Sequence, residues 1–100
     1  MRYKIVYGKG PKTDKWGHYL PEQPPSFEEF METLAEAEEK ARVISCKHKK
    51  YCVNVYDLKG PQFRGSTLWC VYGFEKGRRI DINDDYFKAL DNPAVMESWY

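Results

Sequence analysis

The residues best suited to chemistry in this 100-residue chain are its three cysteines and two histidines. Cys46, His48, Cys52 and Cys70 offer the thiolate and imidazole donors that a tetrahedral Zn²⁺ site takes. Structural zinc sites usually draw two ligands from a knuckle such as C-x-x-C, and the sequence has no such knuckle. Cys52 and Cys70 fall in predicted strands, where a small thiol is ordinary and a cross-strand disulfide would need an oxidising compartment. We therefore expect neither a metal site nor any other cofactor.

Nucleophilic catalysis requires a base beside the nucleophile and a group that orients the base. His18 and His48 are the two histidines, and Asp14 is a carboxylate near His18 in sequence. His48 follows a predicted helix in a Lys-rich turn, where it simply supports the helix end. The paired Asp84 and Asp85 are explained as the first turn of a short helix. The sequence thus predicts a protein without catalytic residues, which is not an enzyme.

The composition indicates one intracellular domain spanning residues 1–100. Apolar residues make up 42% and aromatic residues 16% of the chain, which is enough to fill one core. The net charge of +1 implies neither nucleic acid nor an acidic membrane surface. No stretch approaches the ~20 apolar residues of a membrane span, and no secretory signal follows Met1. An odd number of cysteines without an export signal fits the cytoplasm.

The segment from Pro24 to Glu29 predicts the start of a long helix. Ser26 and Glu29 have the spacing of a capping box, in which each side chain bonds the other residue's backbone N–H. Apolar residues then fall at positions 27, 30, 34, 37, 41 and 44, which draws one stripe down a helix. The pattern predicts a single amphipathic helix from Phe27 to Cys46 or Lys47.

The remaining elements are strands and one short helix. Strands are predicted at Arg2–Tyr7, Tyr51–Leu58, Thr67–Phe74 and Arg78–Ile82. Gly77 suits the positive φ of a tight hairpin, Ile80 and Ile82 are expected to point inward, and Asn83 is expected to cap a helix ending at Leu90. The long connection 8–25 leaves open whether Trp16–Leu20 form a further strand. The apolar segment after Pro93 is expected to pack back on the domain.

These elements predict an α+β fold. It is a two-layer sandwich, in which an antiparallel sheet of four strands, with a fifth left open, carries one long amphipathic helix on one face. A short C-terminal helix completes it. An exposed edge strand at Arg2–Tyr7 would also leave room for a homodimer built by sheet extension.

Sixteen aromatic residues are more than one core face readily covers. Aromatic side chains and Arg are the usual anchors of protein interfaces, so the sequence favours a small module that docks on another protein. The candidate anchors lie in the two loops, at the end of the strand meander and at the C-terminus: Trp16, Tyr19, Phe63, Arg64, Arg78, Arg79, Trp99 and Tyr100. By analogy of size, such a chain resembles phage or mobile-element inhibitors, including anti-defence (anti-CRISPR-like) proteins.

Single-stranded RNA or DNA binding is the alternative interpretation. In it, aromatic residues on the open face of the 51–82 meander stack on bases while basic residues around its ends hold phosphates. The aromatic set is Tyr51, Tyr56, Trp69 and Tyr72, and the basic set is Lys47, Lys49, Lys50, Arg64, Arg78 and Arg79. Partner identity stays open at this level.

Overall fold

The computed structural model describes residues 1–91, so Trp99, Tyr100 and the predicted packing of the C-terminal segment lie outside the described residues. The elements in chain order are β1 Tyr3–Lys9, β2 Ser26–Met31, α1 Leu34–Lys47, β3 Tyr51–Asp57, β4 Trp69–Glu75, β5 Arg78–Ile82 and α2 Asp84–Asp91. The five strands form one antiparallel sheet in the order β2-β1-β3-β4-β5. The helix α1 packs on one face of this sheet, which confirms the predicted α+β fold.

The segment that was predicted to begin the long helix is instead the strand β2. It pairs with β1, where Phe27 lies opposite Tyr7 and Met31 opposite Tyr3. The helix begins at Leu34, and its N-cap is Thr33, whose hydroxyl accepts a hydrogen bond of 3.2 Å from the Glu36 N–H. The predicted capping box at Ser26 is therefore wrong, because pairing with β1 satisfies the backbone of this segment in a sheet rather than in a helical turn.

The later half of the apolar stripe does form the helix face that covers the sheet. Ala37 and Ala41 have no exposed surface and Ile44 is 7% exposed. Two alanines at this contact let the helix backbone approach the sheet closely. Beneath them lie Ile5 and Val55, which are opposite one another in β1 and β3 and are both fully buried.

The strand β5 is an edge strand whose side chains are exposed. Ile80 and Ile82 are 55% and 46% exposed, so the prediction that they point into the core is wrong. Their side chains are exposed because α1 lies mainly over β1, β3 and β4, so that β5 lies at the margin of the area that α1 covers. The turn before it has φ of 54° at Lys76 and 78° at Gly77, which is the predicted tight hairpin.

The strand β1 lies inside the sheet, between β2 and β3. The expectation that Arg2–Tyr7 form an exposed edge is therefore wrong, because β2 pairs along its outer side from Tyr3 to Gly8. Any sheet extension would have to use β2 or β5, the two edges of the described sheet.

A buried carboxylate joins α2 to the sheet. Asp57 has no exposed surface, and its Oδ1 and Oδ2 accept hydrogen bonds of 3.0 and 2.9 Å from Arg2 Nε and Nη2. The Tyr86 hydroxyl donates to Oδ2 at 2.7 Å, and the Lys59 N–H donates to Oδ1 at 2.9 Å. Burial alone would raise the pKa of the Asp57 carboxyl, but the hydrogen bonds from Arg2, Tyr86 and Lys59 outweigh it and hold that pKa below its ordinary value.

Candidate docking surface

Residues 10–25, which connect β1 to β2, fold into an ordered hairpin of their own. Thr13 and Tyr19 form a single antiparallel bridge, and the Leu20 N–H donates to the Lys12 carbonyl at 3.0 Å. The further strand left open at Trp16–Leu20 is not formed, and the fifth strand of the sheet is β2. We call residues 12–23 the docking hairpin.

The tip of the docking hairpin is held by Asp14. Its Oδ1 accepts hydrogen bonds from the N–H groups of Trp16 at 2.9 Å and His18 at 3.0 Å. The Gly17 N–H donates to the Asp14 carbonyl at 3.1 Å, and Gly17 has a φ of 85° that suits glycine. Aspartate commonly fixes turns in this way, so the Asp14 to Gly17 spacing was a signal available in the sequence.

The base of the docking hairpin is braced by Gln23, a residue to which the sequence interpretation assigned no role. Its side-chain oxygen accepts from the Lys12 N–H at 2.9 Å. Its side-chain nitrogen donates to the carbonyls of Lys12 at 3.1 Å and Leu20 at 2.6 Å. The two bonds to Lys12 join the two arms of the hairpin, and the bond to Leu20 fixes the second arm, so the conformation of the hairpin is set without a partner.

The ordered backbone holds two aromatic rings in solvent. Trp16 is 72% exposed and Tyr19 is 74% exposed. Lys15 places its Nζ 4.4 Å from the centroid of the Trp16 ring, and Leu20 adds an apolar side chain nearby that is 39% exposed. Large aromatic side chains on a preorganised loop are the common composition of interface anchors.

The second predicted loop site serves partly to close the core. Phe63 and Ser66 exchange two backbone hydrogen bonds of 2.9 and 3.0 Å around a turn formed by Arg64 and Gly65. The half-buried Phe63 ring lies 6.0 Å from the ring of Trp69, which itself packs against the core. The guanidinium of the exposed Arg64 lies 5.3 Å from the Phe63 centroid.

The structure does not bring the two predicted loop sites together. The docking hairpin follows Lys9, which pairs with Tyr51 at the start of β3, whereas the loop with Phe63 follows Asp57 at the end of β3. The two loops therefore lie at opposite ends of the sheet, separated by a strand of seven residues or about 20 Å. A partner that covers the docking hairpin need not contact Phe63.

The two predicted arginines of β5 differ in environment. Arg79 donates from Nη1 to Glu38 Oε1 at 3.1 Å and its guanidinium lies 5.1 Å from the Tyr72 ring, so it fastens β5 to α1. Arg78 is exposed beside the tight turn, opposite Glu75. Arg78 therefore stays accessible to a partner, and Arg79 is largely occupied within the fold.

The aromatic set proposed for stacking bases mostly lies on the face covered by α1. Tyr72 is 7% exposed, and Tyr51 and Trp69 pack against the core. Tyr51 also stacks on His48, with ring centroids 4.6 Å apart. Of the four, Tyr56 faces the open side, where Lys4 Nζ lies 5.9 Å from its centroid. These four residues do not form a common stacking platform.

The cysteines lie apart. Cys46, Cys52 and Cys70 are all exposed free thiols. Cys70 lies opposite Tyr56, four residues along β3 from Cys52, or about 13 Å, which exceeds the reach of a disulfide. Within residues 1–91 no group of three or more His, Cys, Asp or Glu side chains is placed to hold a metal ion.

None of the helices within residues 1–91 is long and apolar enough to cross a membrane.

The chain matches no protein-family model, no curated protein and no solved structure.

Proposed function

We propose that the protein is a small non-enzymatic binding module that docks on another protein through Trp16 and Tyr19. The observation that carries the proposal is that both rings are more than 70% exposed on a loop whose tip and base are hydrogen-bonded. Exposed apolar side chains that are grouped on one part of a surface mark protein interaction sites more often than singly scattered ones do.

The hydrogen bonds that order the docking hairpin affect the free energy of binding. Binding costs free energy for every side chain and loop that must be immobilised, and a loop already fixed by Asp14 and Gln23 avoids most of that cost. When a tryptophan or tyrosine that anchors an interface is truncated to alanine, the complex commonly loses about 2 kcal/mol or more of binding free energy. Two such anchors would dominate the affinity.

The biological class is proposed by analogy of size. We place the protein among accessory or inhibitor proteins of phages and mobile elements, of which anti-defence (anti-CRISPR-like) factors that dock on a host complex are one kind. A cytoplasmic location goes with this proposal, since three exposed free thiols suit a reducing compartment.

Affinity capture from extracts of the native cell, with and without nuclease, tests the proposal. We expect the wild-type protein to retain a stoichiometric protein partner after nuclease treatment. Trp16→Ala/Tyr19→Ala should lose at least about 30-fold in affinity, which is about 2 kcal/mol and follows even if only one of the two rings is an anchor of that size. The matched control is Leu68→Ala, which truncates a 53% exposed apolar side chain near the opposite end of the sheet.

Two outcomes would contradict the proposal. One is a partner that the double variant binds as well as the wild type does. The other is recovery that nuclease abolishes, which would favour the single-stranded nucleic-acid alternative. Circular dichroism of each variant should match the wild type, because neither exposed ring contributes to the core.

A further inference from the structure

Strand directions bring three connections of the chain to the same end of the sheet. The docking hairpin begins beyond Lys9, which lies opposite Tyr51 at the start of β3. The α1–β3 connection therefore lies beside it. The β4–β5 turn lies there too, because a Cβ built on Gly77 would be 3.3 Å from the Cβ of Cys46 in the last turns of α1. We call this the hairpin end.

Exposed basic side chains concentrate at the hairpin end. Within residues 1–91 the hairpin end carries Lys9, Lys12, Lys15, Lys47, Lys49, Lys50, Lys76 and Arg78, all of them exposed. The carboxylates in the same three connections and their flanking residues are Asp14, Glu22 and Glu75. The hairpin end is thus strongly positive, although the whole chain has a net charge of only +1.

These cations differ from most others in the chain because they are not neutralised internally. No ion pair within 4.0 Å joins any of the eight to a carboxylate of the described residues. Elsewhere the basic residues Arg2, Lys4, Lys40, Arg42 and Arg79 are each paired with an acidic side chain. Because its cations form no such ion pairs, the hairpin end keeps its positive charge available to a partner.

We infer that the partner presents a carboxylate-rich protein surface to the hairpin end, around the site that receives Trp16 and Tyr19. This inference rests on the proposed function and specifies the chemistry of its partner. Cations around aromatic anchors match the usual anatomy of an interface, in which a polar rim surrounds the anchors. Complementary charge on the partner would speed association and exclude wrong partners.

An acidic protein fits the hairpin end better than a nucleic acid does. Asp14 and Glu22 lie within the docking hairpin and Glu75 flanks the tight turn, so carboxylates interrupt any continuous track for phosphates. The open sheet face offers only Tyr56 of the proposed stacking set. Domains that bind nucleic acid through a basic footprint are commonly far more basic than this chain, whose pI is about 7.7.

Binding to a defined probe tests the inference without knowledge of the partner. The probe is fluorescein-labelled polyglutamate of about 20 residues, followed by anisotropy while NaCl is raised from about 20 mM to about 200 mM, which shortens the screening length roughly threefold. We expect binding at low salt that weakens at least tenfold across this range. Lys12→Glu/Lys49→Glu should abolish it. Lys59→Glu/Lys88→Glu, with the same change in charge at the opposite end, should retain it within about twofold.

The comparison probe is a single-stranded oligothymidylate of about 20 nucleotides. Binding of this probe at least tenfold tighter than polyglutamate at equal salt would overturn the inference and assign the hairpin end to nucleic acid. So would no binding of polyglutamate, or equal losses in the two double variants. Trp16→Ala/Tyr19→Ala should still bind polyglutamate, so failure of the aromatic anchors and failure of the charge inference give different results.

Discussion

At the scale of single residues, Asp57 is the feature of the fold that the sequence least announced. It appears in the sequence as the polar end of a strand, yet it has no exposed surface and accepts hydrogen bonds from Arg2, Tyr86 and Lys59. Its partners lie 55 and 29 residues away for Arg2 and Tyr86. No local pattern links such positions, so only the assembled fold could identify the network.

The Asp57 network makes stability depend on pH. Because the folded pKa of Asp57 is lowered, its contribution is complete above the unfolded value of about 4 and is lost as pH falls through the folded pKa. Asp57→Asn should lower the free energy of unfolding by on the order of 2–4 kcal/mol at neutral pH, since it leaves the Arg2 guanidinium without its counter-charge.

Urea denaturation of wild type and Asp57→Asn between neutral pH and about pH 3 measures this effect. The difference between the two proteins should shrink as the pH falls below about 4. A difference that stays constant over the whole range would contradict the assigned role of the charge.

At the scale of elements, the sequence contains two capping-box spacings, and in the structure only the second provides an N-cap, Thr33. Ser26 with Glu29 and Thr33 with Glu36 both have Ser or Thr followed three residues later by Glu. The residue types at the two sites do not show which of them caps a helix. Pairing with β1 decides, because it holds Ser26 opposite Gly8 in the sheet and leaves Thr33 as the first residue free to cap a helix.

The two candidate caps give a matched pair of variants. Thr33→Ala should destabilise the fold by about 1 kcal/mol, because the Glu36 N–H loses its hydrogen-bond acceptor. Ser26→Ala should change stability by less than about 0.5 kcal/mol, as for a surface position on an edge strand. Thermal and urea unfolding of both variants measures this. A larger loss for Ser26→Ala would contradict the boundary between β2 and α1.

At the scale of the whole molecule, the architecture followed from the sequence more fully than the candidate site did. The strands around Val53 and Ile5, the tight turn at Gly77 and the helix face of Ala37 and Ala41 are local patterns that the structure keeps. The candidate docking surface depends instead on how residues that are far apart in the sequence lie relative to one another in space. Whether Trp16 shares an end with Lys49, or Tyr72 faces α1, is set by strand order and register, which no short segment encodes.

The docking hairpin is the part of the whole molecule that we propose contacts the partner. The most direct measurement is photo-crosslinking in the native cell, with a photoreactive phenylalanine placed singly at Tyr19 or at Leu68, two exposed positions near opposite ends of the sheet. We expect one discrete protein adduct from position 19, resistant to nuclease, and none from position 68. Adducts of equal yield from both positions, or a nuclease-sensitive adduct from position 19, would contradict the proposal.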